Sequence, residues 1–154
     1  MTVKYFEELE IWKEARRITG EIYRLTRNSK FTRDFSLSGQ IQKAVVSIMS
    51  NIAEGFERGG NQEFIQFLYI AKGSCGEVRS QIYVALDQSY LEQEKADELV
   101  NSLKRLSTMI SNFINYIKRS GMRGEKFNDS EQSPRSRVLR SENTKAVSQR
   151  SSTD

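Results

Sequence analysis

The chain has 154 residues, a formal net charge of +4 and a pI near 9.2, with 37% hydrophobic and 29% charged residues. That suits one soluble domain with one core, basic enough to admit nucleic acid as a partner without requiring it. There is no histidine and a single cysteine, Cys75, which removes the commonest general base, a structural zinc site and the Glu-x-x-His ligands of di-iron helical bundles, so no metal or cofactor is expected. No apolar run approaches the roughly 20 residues that cross a bilayer, and MTVKYFEELE has no apolar signal core; the expectation is a cytoplasmic protein with no membrane contact.

Four amphipathic segments follow in chain order. The first, from about Tyr5 to Asn28, sets Ile11, Ala15, Ile18, Ile22 and Leu25 at helical spacing. The second, from about Ser38 to Gly55, carries Ile41, Ala44, Val45, Ile48 and Ile52, with Ser38 as the expected N-cap and Gly55 as the expected stop. The third, from about Asn61 to Gln88, lines up Phe64, Phe67, Leu68, Ala71, Cys75, Val78, Ile82, Ala85 and Leu86, with Asn61 as its N-cap. The fourth, from about Gln93 to Arg119, spaces Ala96, Leu99, Leu103, Leu106, Ile110, Phe113 and Ile117 three and four apart. Short connections between such segments predict an all-α, up-down-up-down antiparallel four-helix bundle over residues 1–120.

Beyond Gly121 large apolar groups nearly vanish and Ser, Arg, Lys, Glu and Asn take over, so residues 121–154 read as a disordered tail. It carries Arg123, Lys126, Arg135, Arg137, Arg140, Lys145 and Arg150 against five acidic residues. An inert solvated tail and a weak nucleic-acid-contacting arm both fit that balance.

The second and third segments have a further apolar or small-residue side. Val46, Met49 and Ala53 lie away from the seam of the second; Ile65, Tyr69, Gly73, Gly76 and Tyr83 lie opposite that of the third. A monomeric bundle buries one stripe per helix, so these eight positions predict a homo-oligomer contact. On the first helix Lys13, Arg16, Arg17, Arg24 and Arg27 share the face opposite the seam, edged by Glu10, Glu14 and Glu21. That row suits a phosphate backbone, and equally a solvated face of helical ion pairs.

Catalysis finds little footing. Glu54, Glu57 and Glu77 have no histidine to work with, no phosphate-binding or nucleophile-elbow motif occurs, and Cys75 falls on an apolar face. In "SIMSNIAEGFERGG" (47–60), Ser47, Asn51, Glu54 and Arg58 form a polar stripe beside the second seam, where polar groups must be paired. They read as a structural latch at the turn between the second and third helices, with Glu54 either accepting from the first N–H groups of the third helix or pairing with Arg58.

"LEIWKEA" (9–15), "IYRLT" (22–26), "SGQIQKAVVSIMSNIAEGFER" (38–58) and "NQEFIQFLYIAKGSCGEVRSQI" (61–82) resemble the small bacterial proteins encoded in intervening sequences of 23S ribosomal RNA genes, relatives of the accessory variability proteins of diversity-generating retroelements. The resemblance covers about residues 5–118. It implies a four-helix bundle assembled as a homopentamer, without known enzymatic activity. For the retroelement relatives it implies a positively charged ring that binds nucleic acid and a reverse transcriptase. "SNIAEG" places this chain nearer the intervening-sequence branch. Met49 stands where those proteins often have proline, and Phe31-Thr32 where they tend to have Phe-Pro. The functional expectation is therefore a non-catalytic, oligomeric nucleic-acid-binding or ribonucleoprotein accessory protein, with a scaffold for a reverse transcriptase as the alternative.

Overall fold

The computed structural model describes residues 2–120; the tail read over 121–154 lies outside the described residues. The described residues are all helical or loop, with no strand. A 3₁₀ turn, Phe6–Glu8, precedes α1 (Glu10–Thr26), a short α2 (Ser29–Arg33), α3 (Phe35–Arg58), α4 (Asn61–Asp87) and α5 (Gln93–Ser120). The four long helices close a ring of contacts: α1 on α3, α3 on α4, α4 on α5 and α5 back on α1.

The apolar periodicity is what builds that ring. Ile18, Ile22, Ile41, Ile48, Ile52, Leu68, Ile82, Leu99, Leu103, Leu106 and Ile110 are fully enclosed, each contributing about 1.5–3 kcal/mol of apolar burial. On α5 the enclosed residues in its last turns are Ile114 and Ile117, while Phe113 sits half-buried at the seam's edge. There it meets Phe64 edge-on at 5.7 Å.

Helix boundaries depart from the sequence reading in five places. The first helix does not begin at Tyr5, because the chain passes through extended backbone at Leu9 before α1 starts. A short helix, α2, occupies what read as a loop; Phe31 anchors it, wholly buried, against the Tyr90 ring 5.2 Å away. The cap of α3 is Asp34, whose Oδ1 accepts from the Leu37 N–H at 3.0 Å, and Ser38 lies buried in the first turn. Next, α3 runs past Gly55 to Arg58 and ends at Gly59, whose φ of 94° is the left-handed C-terminal conformation that glycine accepts. Finally, Gly60, with no side-chain cap, precedes α4, making Asn61 its first residue.

Candidate functional site

The outward face of α1 presents the predicted cations, and all five, Lys13, Arg16, Arg17, Arg24 and Arg27, are exposed. They are not equivalent. Lys13 is paired with Glu10 at 3.1 Å. Arg17 grips Glu14 with two contacts, 3.0 and 2.6 Å, reaches Glu21 at 3.2 Å, and approaches the Ser102 hydroxyl of α5 at 3.4 Å. The Arg17 guanidinium holds the Glu14 carboxyl below the usual carboxylate range, with Arg105 assisting from α5. Arg16 lies over the Trp12 ring, 5.7 Å from its centre. The upper part of the row is thus largely neutralised or stacked within the protein.

The lower part is different. Arg24 and Arg27 make no ion pair among the described residues. With Glu21, Leu25, Asn28 and, from α5, Lys95, they line an open cleft of about 540 Å³. Glu21 on its wall pairs through Oε1 with Arg17 at 3.2 Å, while its Oε2 is enclosed with no hydrogen-bond partner among the described residues. Lys95 was invisible to helix-by-helix reading, because it joins the cleft through the packing of α5 on α1.

The polar stripe of α3 divides in two. Asn51 Nδ2 donates to the Ser47 carbonyl at 2.7 Å and to its hydroxyl at 2.9 Å, and the Ser47 and Ser74 hydroxyls meet at 3.0 Å. Ser74, buried on α4, is the partner the sequence did not disclose; its place beside Cys75 on an apolar face was the available signal. Glu54 pairs instead with Arg58, 3.0 Å away and about half exposed, and Arg58 lies over the Phe67 ring at 5.4 Å. Glu54 does not cap α4. So Ser47 and Asn51 tie α3 to α4, whereas Glu54 and Arg58 form a surface pair.

Of the expected oligomer residues, Val46, Met49 and Ile65 are half-buried and pack against the core, and Ala53 and Gly76 are also half-buried. Tyr69, Gly73 and Tyr83 face outward on α4. Ile70 and Val84, 52% and 45% exposed, extend the same side. Lys118 of α5 donates to the Tyr69 hydroxyl at 3.0 Å. The apolar second side therefore belongs mainly to α4.

Burial pushes the Cys75 thiol up to about 12, which leaves it protonated and a poor nucleophile. Among the described residues no group of His, Cys, Asp or Glu is placed to hold a metal, and no helix is long and apolar enough to cross a membrane.

The family model described as 23S rRNA-intervening sequence protein matches residues 7–112. The chain belongs to that family. Its fold is similar to the crystal structure of a protein with unknown function from the S23 ribosomal protein family of Bacteroides thetaiotaomicron, with a TM-score of 0.62 and 20% identity, covering 68% of this chain and 97% of that one. No curated protein matches. The matched span of this intervening-sequence protein takes in all of α1 through α4 and most of α5, so the α1 cations, the Ser47–Ser74 tie and the α4 face all lie within the family's extent.

Proposed function

We propose that this intervening-sequence protein is a non-catalytic, homo-oligomeric, up-down-up-down four-helix bundle acting in the cytoplasm as a nucleic-acid-binding or ribonucleoprotein accessory protein. The observation that carries the reading is the outward face of α1, with five exposed cations of which Arg24 and Arg27 are unpaired. Self-association is supported by Tyr69, Ile70, Tyr83 and Val84, exposed around the open position of Gly73 on α4. The family resemblance implies five copies, and a ring would repeat the α1 cations around its outside. Short connections, two glycines between α3 and α4 among them, support antiparallel neighbours.

The test is binding of structured RNA and duplex DNA over a salt series, with light scattering on the same sample. Binding that weakens steeply with salt is expected; absence of binding at low salt removes the reading. The exposed α4 face also fits a protein partner, and a monomer that co-purifies with a reverse transcriptase would move the function to the scaffold role.

A further inference from the structure

Four cations recur at three-residue intervals where α1 gives way to α2: Arg24, Arg27, Lys30 and Arg33. All four are exposed, and none has an ion-pair partner among the described residues. This contrasts with the upper half of α1, where Glu10, Glu14 and Glu21 absorb Lys13 and Arg17. Arg24 stands in the last turn of α1 and Arg27 is its C-cap, where the helix dipole favours cations without neutralising them.

The backbone under these cations is pinned from within. Thr32 Oγ1 donates to the Thr26 carbonyl at 2.5 Å, and Gln42 of α3 donates to Thr26 Oγ1 at 2.9 Å. Phe31 is buried to 0% exposure. Tyr90 donates to Asp34 Oδ2 at 3.0 Å, locking the far end of α2 to the α4–α5 connection. Across the cleft, Lys95 adds a fifth cation, paired among the described residues with Glu98 in an exposed 3.5 Å contact that salt readily screens. The backbone is fixed while the charges stay open to solvent, the combination that favours binding an extended polyanion at low ordering cost.

We infer that the corner between α1 and α2, formed by Arg24, Arg27, Lys30 and Arg33 with Lys95 across the cleft, is the phosphodiester-binding surface of this protein, and that the Lys13–Arg17 half of the row contributes little. The inference rests on the nucleic-acid reading above and narrows it to a different set of residues. The ligand is a nucleic-acid backbone read through its phosphates, so recognition is tolerant of sequence.

The full chain is titrated into a labelled single-stranded RNA, the DNA of the same sequence, and polyglutamate of similar charge, each over a salt series. Arg24→Ala with Arg27→Ala should weaken binding of both nucleic acids by roughly tenfold or more near ~0.1 M salt and lower the salt slope by about 2. Lys30→Ala with Arg33→Ala, on the surface of α2, should do the same and stands in if the first pair disturbs folding by circular dichroism. Lys104→Gln, an exposed cation of α5 outside both the α1 row and the corner, should leave binding unchanged. Wild-type affinity in both corner variants, with loss on changing Lys13 and Arg17, overturns the inference and leaves the nucleic-acid reading standing. Failure of the wild-type chain to bind either nucleic acid ends both. Polyglutamate bound as tightly as RNA, with the same loss in the corner variants, overturns the phosphodiester assignment in favour of an acidic protein partner.

Discussion

Gly55 lies so close to Phe67 that a methyl group on it would stand 2.6 Å from the Phe67 Cβ and 2.9 Å from Cδ2 of Phe64. Carbon atoms rest at about 3.5–4.0 Å, so α3 and α4 meet at this point only because position 55 has no side chain. Gly55→Ala should cost about 1–3 kcal/mol through overpacking, outweighing the ~1 kcal/mol gain in helix propensity. Gly73 is the converse: nothing lies within 4 Å of its would-be Cβ, so Gly73→Ala should stabilise the isolated bundle by about 0.5–1 kcal/mol. Urea unfolding at a concentration where all variants have the same mass checks both; equal stability of Gly55→Ala and wild type would show that the helices can part there at no cost.

The Ser47–Ser74 pair should appear as a coupling energy. Ser47→Ala and Ser74→Ala, alone and together, are expected to show about 0.5–1.5 kcal/mol of non-additivity, since each single change removes the hydroxyl contact between α3 and α4, although Ser47 keeps its bond from Asn51. The same cycle on Glu54 and Arg58, an exposed pair, should show none that can be resolved. A null result at the serines would demote them to neighbours that happen to touch.

Acid should loosen the α1–α5 contact through Glu14. Its carboxyl is held low chiefly by the Arg17 hydrogen bond, so the folded form binds its proton less readily than the unfolded chain. That contribution is fully present above the unfolded carboxylate range, near pH ~4.3, and is lost as pH falls through the lower folded value. Thermal melts from pH 7 to 3 should decline less steeply in Glu14→Gln than in wild type. Parallel curves would mean that Arg17 and Glu14 are solvated independently.

Self-association should depend on α4 more than on α3. Light scattering at micromolar concentration is expected to give a multiple of 17.8 kDa, and Ile70→Lys with Tyr83→Lys should reduce it to the monomer mass while helical content is retained. Val46→Ala should instead lower stability with the mass unchanged, because Val46 packs on its own core. A monomeric wild type would leave the α4 face to another protein.

What the sequence determined was the periodicity and its consequences. Ile and Leu at three- and four-residue spacing can be buried only along one side of a helix, so the four long helices, their seams and the core placement of Cys75 were legible before any coordinates. The same holds for the shared outward face of the α1 cations, a matter of angle within one helix. Boundaries were less legible because caps depend on neighbours. Asp34 closes α3 while its other oxygen holds Tyr90, and Gly55 reads as a stop until Phe67 shows it to be a point of close approach.

Only the tertiary structure decided which polar and charged groups are already satisfied. Ser74 across from Ser47, Ser102 and Arg105 beside Arg17 and Glu14, and Lys95 opposite Arg24 and Arg27 all come from other helices, at separations a helical wheel does not carry. Hydrogen bonds and ion pairs act over a few ångströms of space irrespective of chain distance. That is why a uniform cationic row in the sequence becomes, once folded, a paired upper half and an unpaired corner.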